Sequence, residues 1–144
     1  MAETRRARVF AAERRERGIV DTSVVVEPPP AQALPREMAV SALTVAELAA
    51  GTHAAADPGE RSLRQDRLQR VEATFDTIAF DVAAARAYGR VFAAVSISGR
   101  KPRGRRALDL LIAATAAAEG LPLYTRNPRD FAGLEGIVEV VEIL

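Results

Sequence analysis

Residues 105–120 read "RRALDLLIAATAAAEG". From Leu110 to Ala118 every residue is Leu, Ile or Ala except Thr115. A stripe of this kind belongs to a helix buried on most sides, ended by Gly120. One aspartate, Asp109, stands at its mouth. An unpaired carboxylate among apolar side chains costs several kcal/mol, on the order of 2–7 for an unbonded polar group and more for a charge. The sequence therefore has to supply a partner for Asp109.

Working outward from that helix, the chain alternates strands and helices. "GIVDTSVVV" from Gly18 to Val26 is rich in Val and Ile and reads as a buried strand that ends near Asp21 or shortly after. A breaker-rich loop, "EPPPAQALPRE", follows. Met38 to Ser41 predicts a second strand running into a helix that Gly51 ends. "DPGERSLRQDRLQRVEATF" places Leu63, Leu68, Val71 and Phe75 near helical spacing, and so predicts an amphipathic helix. "TIAF" is a short strand, and Asp81 is an N-cap for "VAAARAYGRVFAAVSIS". A Gly/Pro/Arg loop over residues 99–106 leads to the Asp109 helix. "LPLYT" is a strand, "RNPRDF" a turn and "IVEVVEI" a final strand. Strands separated by helices along the whole length predict an α/β fold of one domain, with a mostly parallel central sheet flanked by helices.

Composition bounds the chemistry. The 144 residues, 49% hydrophobic and 27% charged, fit one globular domain with a sizeable core. No apolar run approaches the roughly 18 residues of a membrane span. The absence of cysteine removes disulfides, thiolate zinc sites and thiol nucleophiles, and points to the cytoplasm. The net charge of +1 conceals an asymmetry. Residues 1–17 carry six Arg and three Glu and are read as a solvated basic tail preceding a domain over residues 18–144. Arg100, Lys101, Arg103, Arg105 and Arg106 then crowd a loop with no acid in it. A mildly acidic body with one dense basic loop indicates a local anion site.

In parallel α/β sheets, ligands sit beyond the carboxyl ends of the strands. Four acids embedded in or beside apolar sequence fall near such ends: Asp21, Glu47, Asp109 and Asp130, the last three residues after Asn127. Gathered in one crevice they could not all stay ionised unaided. A hard divalent cation resolves the conflict, since magnesium takes one or two carboxylates directly and leaves others to hold its waters. Such an ion also lowers the pKa of a bound water and clamps a phosphate oxygen. The lone histidine, His53, reads as a surface residue. Thr22 and Ser23 read as turn hydroxyls able to orient the Asp21 carboxylate. An aspartyl-phosphate mechanism needs a second acid two residues after the first, where Ser23 stands, and a receiver domain needs an acidic pair where Val20 precedes Asp21.

Taken in order, "IVDTSVVV", "SALTVAELAAG", "ALDLLIAATAAAEGLPLYTRNPRDF" and the closing "EVVEI" resemble the PIN-domain ribonucleases, specifically VapC-type toxins of type II toxin–antitoxin pairs. The resemblance covers residues 18–144. It implies an α/β/α sandwich and a magnesium- or manganese-dependent endoribonuclease that leaves a 5′-phosphate and a 3′-hydroxyl. The family's first-strand Asp, helical Glu and mid-chain Asp match Asp21, Glu47 and Asp109, with Asp21 and Asp109 the direct metal ligands. Many relatives carry an Asp where this chain has Asn127, so Asp130 or the Asn127 amide fills the fourth position. The basic loop, Arg100 to Arg106, then holds RNA phosphates together with Asn127. The resemblance further implies a VapB-type antitoxin whose C-terminal segment occupies the groove, and a homodimer. The alternative is a degenerate PIN-like module that binds RNA or a partner without cutting, for which Asn127 is the support.

Overall fold

The computed structural model describes residues 16–99 and 104–144. Residues 1–15, most of the expected basic tail, lie outside the described residues, as do Arg100, Lys101 and Arg103 of the basic loop.

Strand β1 (Arg17–Val20) lies at the centre of a five-stranded sheet of order β3-β2-β1-β4-β5, in which every pairing is parallel. Its neighbours are β2 (Glu37–Ser41) and β4 (Leu123–Thr125), with β3 (Asp76–Ile78) and β5 (Val140–Glu142) at the edges. Alternation along β1 divides the core. Ile19 points into an apolar cluster with Val91, Val95, Leu110, Ile112, Leu123 and Leu134, and Val20 into another with Val24, Val40, Leu48, Val71 and Tyr124. Gly18 carries no side chain because the Tyr124 ring lies across it: a Cβ there would come within 2.7 Å of Cε1.

The strand ends at Val20, close to the end near Asp21 that the sequence predicts. Its last ladder bond is Asp21 N–H to the Tyr124 carbonyl at 3.0 Å, beyond which no strand partner remains for it. Asp21 instead caps a short helix, α1 (Thr22–Val26), its carboxylate accepting from Val24 N–H at 3.3 Å. The cap outweighs the weak helix propensity of three valines, of which Val24 and Val25 are buried.

Helix α2 (Ala42–Ala54) starts where Ser41 accepts from Leu43 N–H, and it runs past Gly51 rather than ending there. Arginines of α3 (Pro58–Thr74) explain this. Arg64 Nη1 donates to the Gly51 carbonyl at 2.7 Å and Arg61 Nη2 to the Ala55 carbonyl at 3.0 Å. These bonds and packing along α3 outweigh the penalty of about 1 kcal/mol for an interior glycine. On α3 itself Leu68 and Val71 are buried, but Leu63 is 63% exposed, so the apolar stripe is shorter than its spacing predicts.

Helix α4 (Val82–Ile97) begins at the Asp81 cap, as expected, with Ala84 N–H donating to Asp81 Oδ1 at 2.9 Å. Helix α5 (Arg105–Glu119) begins at Gly104, whose φ of +59° suits glycine, so Arg105 and Arg106 are helical rather than part of a loop. The final strand is confined to Val140–Glu142. No described helix is long and apolar enough to cross a membrane. Because β2 and β3 extend from one side of β1 while β4 and β5 lie on the other, the topological switch falls between β1 and β4.

Candidate active site

The turns that leave the carboxyl ends of β1 and β4 frame the switch point. Asp21 leaves β1 directly and is buried, 5% exposed. Its Oδ1 accepts from Ser23 Oγ at 2.5 Å as well as from Val24 N–H. Glu47, half-buried on the second turn of α2, accepts from Thr22 Oγ1 at 2.9 Å. Thr22 Oγ1 also lies 3.1 Å from the fully buried Thr44 Oγ1. Asp130 sits in a 3-10 turn, Pro128–Phe131, its N–H donating to the Asn127 carbonyl.

Asp109 is half-buried and is the fifth residue of α5, since the helix begins a turn earlier than the sequence suggests. It is therefore no first-turn carboxylate, and the free N–H groups of the helix start are out of its reach. Its carboxyl is raised from 3.8 to about 7, first by burial and then by the negative charges of Asp130, Glu47 and Asp21, with Arg105 opposing. The fold thus brings Asp130, Glu47 and Asp21 into electrostatic reach of Asp109. Among the described residues no three of them are drawn close enough to hold an ion as placed, consistent with like charges keeping apart and with Asp21 and Glu47 being held by hydroxyls. Oxygen-only donors of like charge, one buried and three half-buried, fit a hard divalent cation.

A depression of about 290 Å³ is lined by Thr22, Ser23, Val26, Glu27, Arg105, Arg126 and Asn127; it includes the hydroxyls that hold Asp21 and Glu47, but none of the four acids is among its lining residues. Two of the residues expected to hold substrate, Arg105 and Asn127, are exposed there. Arg106 is half-buried and is not among the lining residues. Arg126 is committed elsewhere: Nε and Nη2 donate to the Glu27 carbonyl and Nη1 to the Leu144 carbonyl, while its backbone N–H donates to Ser23 Oγ. His53 is exposed at the end of α2, as the sequence indicates. The bond between Thr22 and Glu47 had no signal in the spacing, because 25 residues and a strand separate the two.

Residues 18–136 match the family model described as the PIN domain. The chain belongs to the PIN-domain family. Among its PIN relatives is Ribonuclease VapC5 of Mycobacterium tuberculosis (strain ATCC 25618 / H37Rv), 36% identical over 133 residues that span 88% of this chain and 95% of the relative. The crystal structure of VapBC-5, a member of the VapBC family of toxin–antitoxin systems from Mycobacterium tuberculosis, contains a chain that superimposes with a TM-score of 0.79 at 37% identity, covering 89% of this chain and 99% of that one. FitAcB from Neisseria gonorrhoeae gives a TM-score of 0.69 at 25% identity, covering 86% and 96%. The α/β/α arrangement anticipated from the sequence is thus shared by solved PIN structures.

Proposed function

We propose that this PIN domain is a divalent-metal-dependent endoribonuclease and the toxin of a VapBC-type pair. The observation that carries the reading is that Asp21, Glu47 and Asp130 lie within electrostatic reach of the half-buried Asp109, whose carboxyl is raised to about 7 first by burial and then by their charges. Carboxylates that raise one another in this way have little purpose in stability, since their repulsion opposes folding. Asp21 and Asp109 would hold magnesium or manganese directly, with Glu47 and Asp130 on the ion's waters. When bound, the ion supplies Lewis acidity and a water of lowered pKa.

The chain's own residues do the rest. Ser23 fixes one Asp21 oxygen and Thr22 fixes Glu47, so neither carboxylate has to be ordered at the moment of reaction. Arg105, exposed at the rim, draws the phosphodiester toward the acids, and Asn127 offers an amide on the same depression. The five cations between Arg100 and Arg106 give backbone affinity without base selectivity. Kinship to ribonuclease VapC5 and to the VapBC-5 complex supports RNA as the substrate and a VapB-type antitoxin as the partner.

The test is cleavage of a mixed-sequence RNA by the purified chain with 5 mM Mg²⁺ or Mn²⁺, with and without excess EDTA, for wild type, Asp21→Asn and Asp109→Asn. Metal-dependent cutting that both variants lose by at least about a hundredfold is expected, the usual scale for losing an essential group. Full activity in EDTA or in either variant overturns the assignment. Binding of the same RNA without any cutting favours the degenerate module instead, in which Asn127 marks a lost acid.

A further inference from the structure

Asp21 is followed by two hydroxyl residues, and the structure gives each a different carboxylate. Ser23 Oγ donates to Asp21 Oδ1 at 2.5 Å, and Thr22 Oγ1 donates to Glu47 Oε1 at 2.9 Å. Both sit in the first turn of α1, where successive side chains diverge by about 100°. That divergence allows one helix start to reach back to its own cap and across to α2. Each hydroxyl is in turn held from the other side. Ser23 Oγ accepts from Arg126 N–H at 3.1 Å, so its single proton is left for Asp21. Thr22 Oγ1 lies 3.1 Å from Thr44 Oγ1, which is fully buried on α2. With the Thr22 proton on the Glu47 carboxylate, the Thr44 hydroxyl is the donor to Thr22.

We infer that Thr22 and Ser23 are the positioning residues of the site, Thr22 setting the orientation of Glu47 and Ser23 that of Asp21, so that one helix start fixes the spacing between the two acids. The inference rests on the nuclease reading above and names residues through which it operates. Arg126 has a part in this through its main chain: its guanidinium joins the end of α1, at the Glu27 carbonyl, to the Leu144 carbonyl, which keeps its N–H aimed at Ser23. Removing a group that orients a metal-binding carboxylate costs about 10–100-fold in metal affinity or activity.

The test compares wild type with Thr22→Val, which keeps the branched Cβ and loses the hydroxyl, and with Ser23→Ala, Thr22→Ser and Thr52→Val. Thr52 bonds the Leu48 carbonyl on α2 and controls for loss of any buried hydroxyl. RNA cleavage is followed across a Mn²⁺ titration, with Mn²⁺ affinity measured by calorimetry and folding by thermal melts. T22V and S23A are expected to need about 10–100-fold more Mn²⁺ or to lose that factor in kcat, with KM for RNA unchanged, while T22S and T52V stay within about threefold of wild type. If T22V proves unfolded, Thr22→Ala and S23A carry the same comparison. Wild-type cleavage and Mn²⁺ binding matched within twofold by T22V and S23A would overturn the inference alone. A wild type that neither cleaves nor binds Mn²⁺ would remove the nuclease reading, and this inference with it.

Discussion

Replacing Asp109 by Asn should make the protein more stable while abolishing its activity. The Asp109 carboxyl is raised from 3.8 to about 7 by burial and by three neighbouring acids. Between those two values the folded state holds a proton that the unfolded chain releases. The contribution to stability is therefore complete below pH 3.8, declines as pH rises, and is lost once the pH passes about 7. At about 1.4 kcal/mol for each pH unit of displacement, ionising Asp109 in the folded protein costs at most about 4 kcal/mol. Asp109 is half-buried rather than enclosed, and solvent screening brings the figure to about 1–2 kcal/mol. Asparagine keeps the shape and carries no charge at any pH. In EDTA at pH 8, D109N should gain about 1–2 kcal/mol, or roughly 3–6 °C in Tm for a domain of this size. Near pH 5 the gain should shrink to about a third, because folded wild type then keeps Asp109 protonated and the cost is set only by the short distance of pH 5 above the unfolded value of 3.8. Thermal and urea melts at the two pH values measure this. Mn²⁺ should reverse the order, raising the wild-type Tm and leaving D109N unmoved. A variant no more stable than wild type at pH 8, or equally stabilised at both pH values, would refute the claim that the acids strain one another.

Gly18→Ala should lower stability by about 1–3 kcal/mol, since the new methyl meets the Tyr124 ring at 2.7 Å; calorimetric melts read it directly. Asp81→Ala removes the cap on Ala84 N–H and should cost about 1 kcal/mol in urea denaturation, with cleavage unaffected because α4 carries none of the four acids. Leu63→Ser should stay within about 0.5 kcal/mol of wild type, its side chain already being 63% exposed; a larger loss would mean that a second copy or partner covers it. Arg105→Ala should weaken RNA binding at low salt and flatten its dependence on ionic strength by roughly one phosphate contact, measured by fluorescence anisotropy in a salt series.

The acids could be found in the sequence because each interrupts apolar context: Asp21 among Ile19, Val20 and Val24, Asp109 before Leu110 to Ala114. A carboxylate in such surroundings demands an explanation whatever the fold. The parallel pairings followed from strands alternating with helices, whereas the order of the strands carries no such signal. Local misreadings have a common origin, in tertiary partners that propensity does not see. The valines after Asp21 form a helix that propensity does not indicate, the register of β1 reaching only Ile19 on the β2 side and Val20 on the β4 side. Gly51 reads as a helix stop until Arg64, 13 residues later, takes its carbonyl. Asp109 reads as a helix head because the charged residues before it look like loop, whereas Gly104 turns the chain early enough to make them helical. The sorting of Thr22 to Glu47 and Ser23 to Asp21 was beyond reach of spacing, which offers both hydroxyls to the nearer acid.

The central position of β1, with its neighbours drawn from opposite ends of the chain, has a bearing on synthesis. Asp21 and Glu47 emerge from the ribosome early, but the strand that seats beside β1 and leads to Asp130 arrives only after residue 122. Domains fold as units during translation, and long-range parallel pairing comes late. No product truncated before Asp130 therefore holds the full set of negative charges. A nuclease born next to abundant RNA would stay inert until the strand from Leu123 and the turn after it have been made, which gives an antitoxin made alongside it time to arrive.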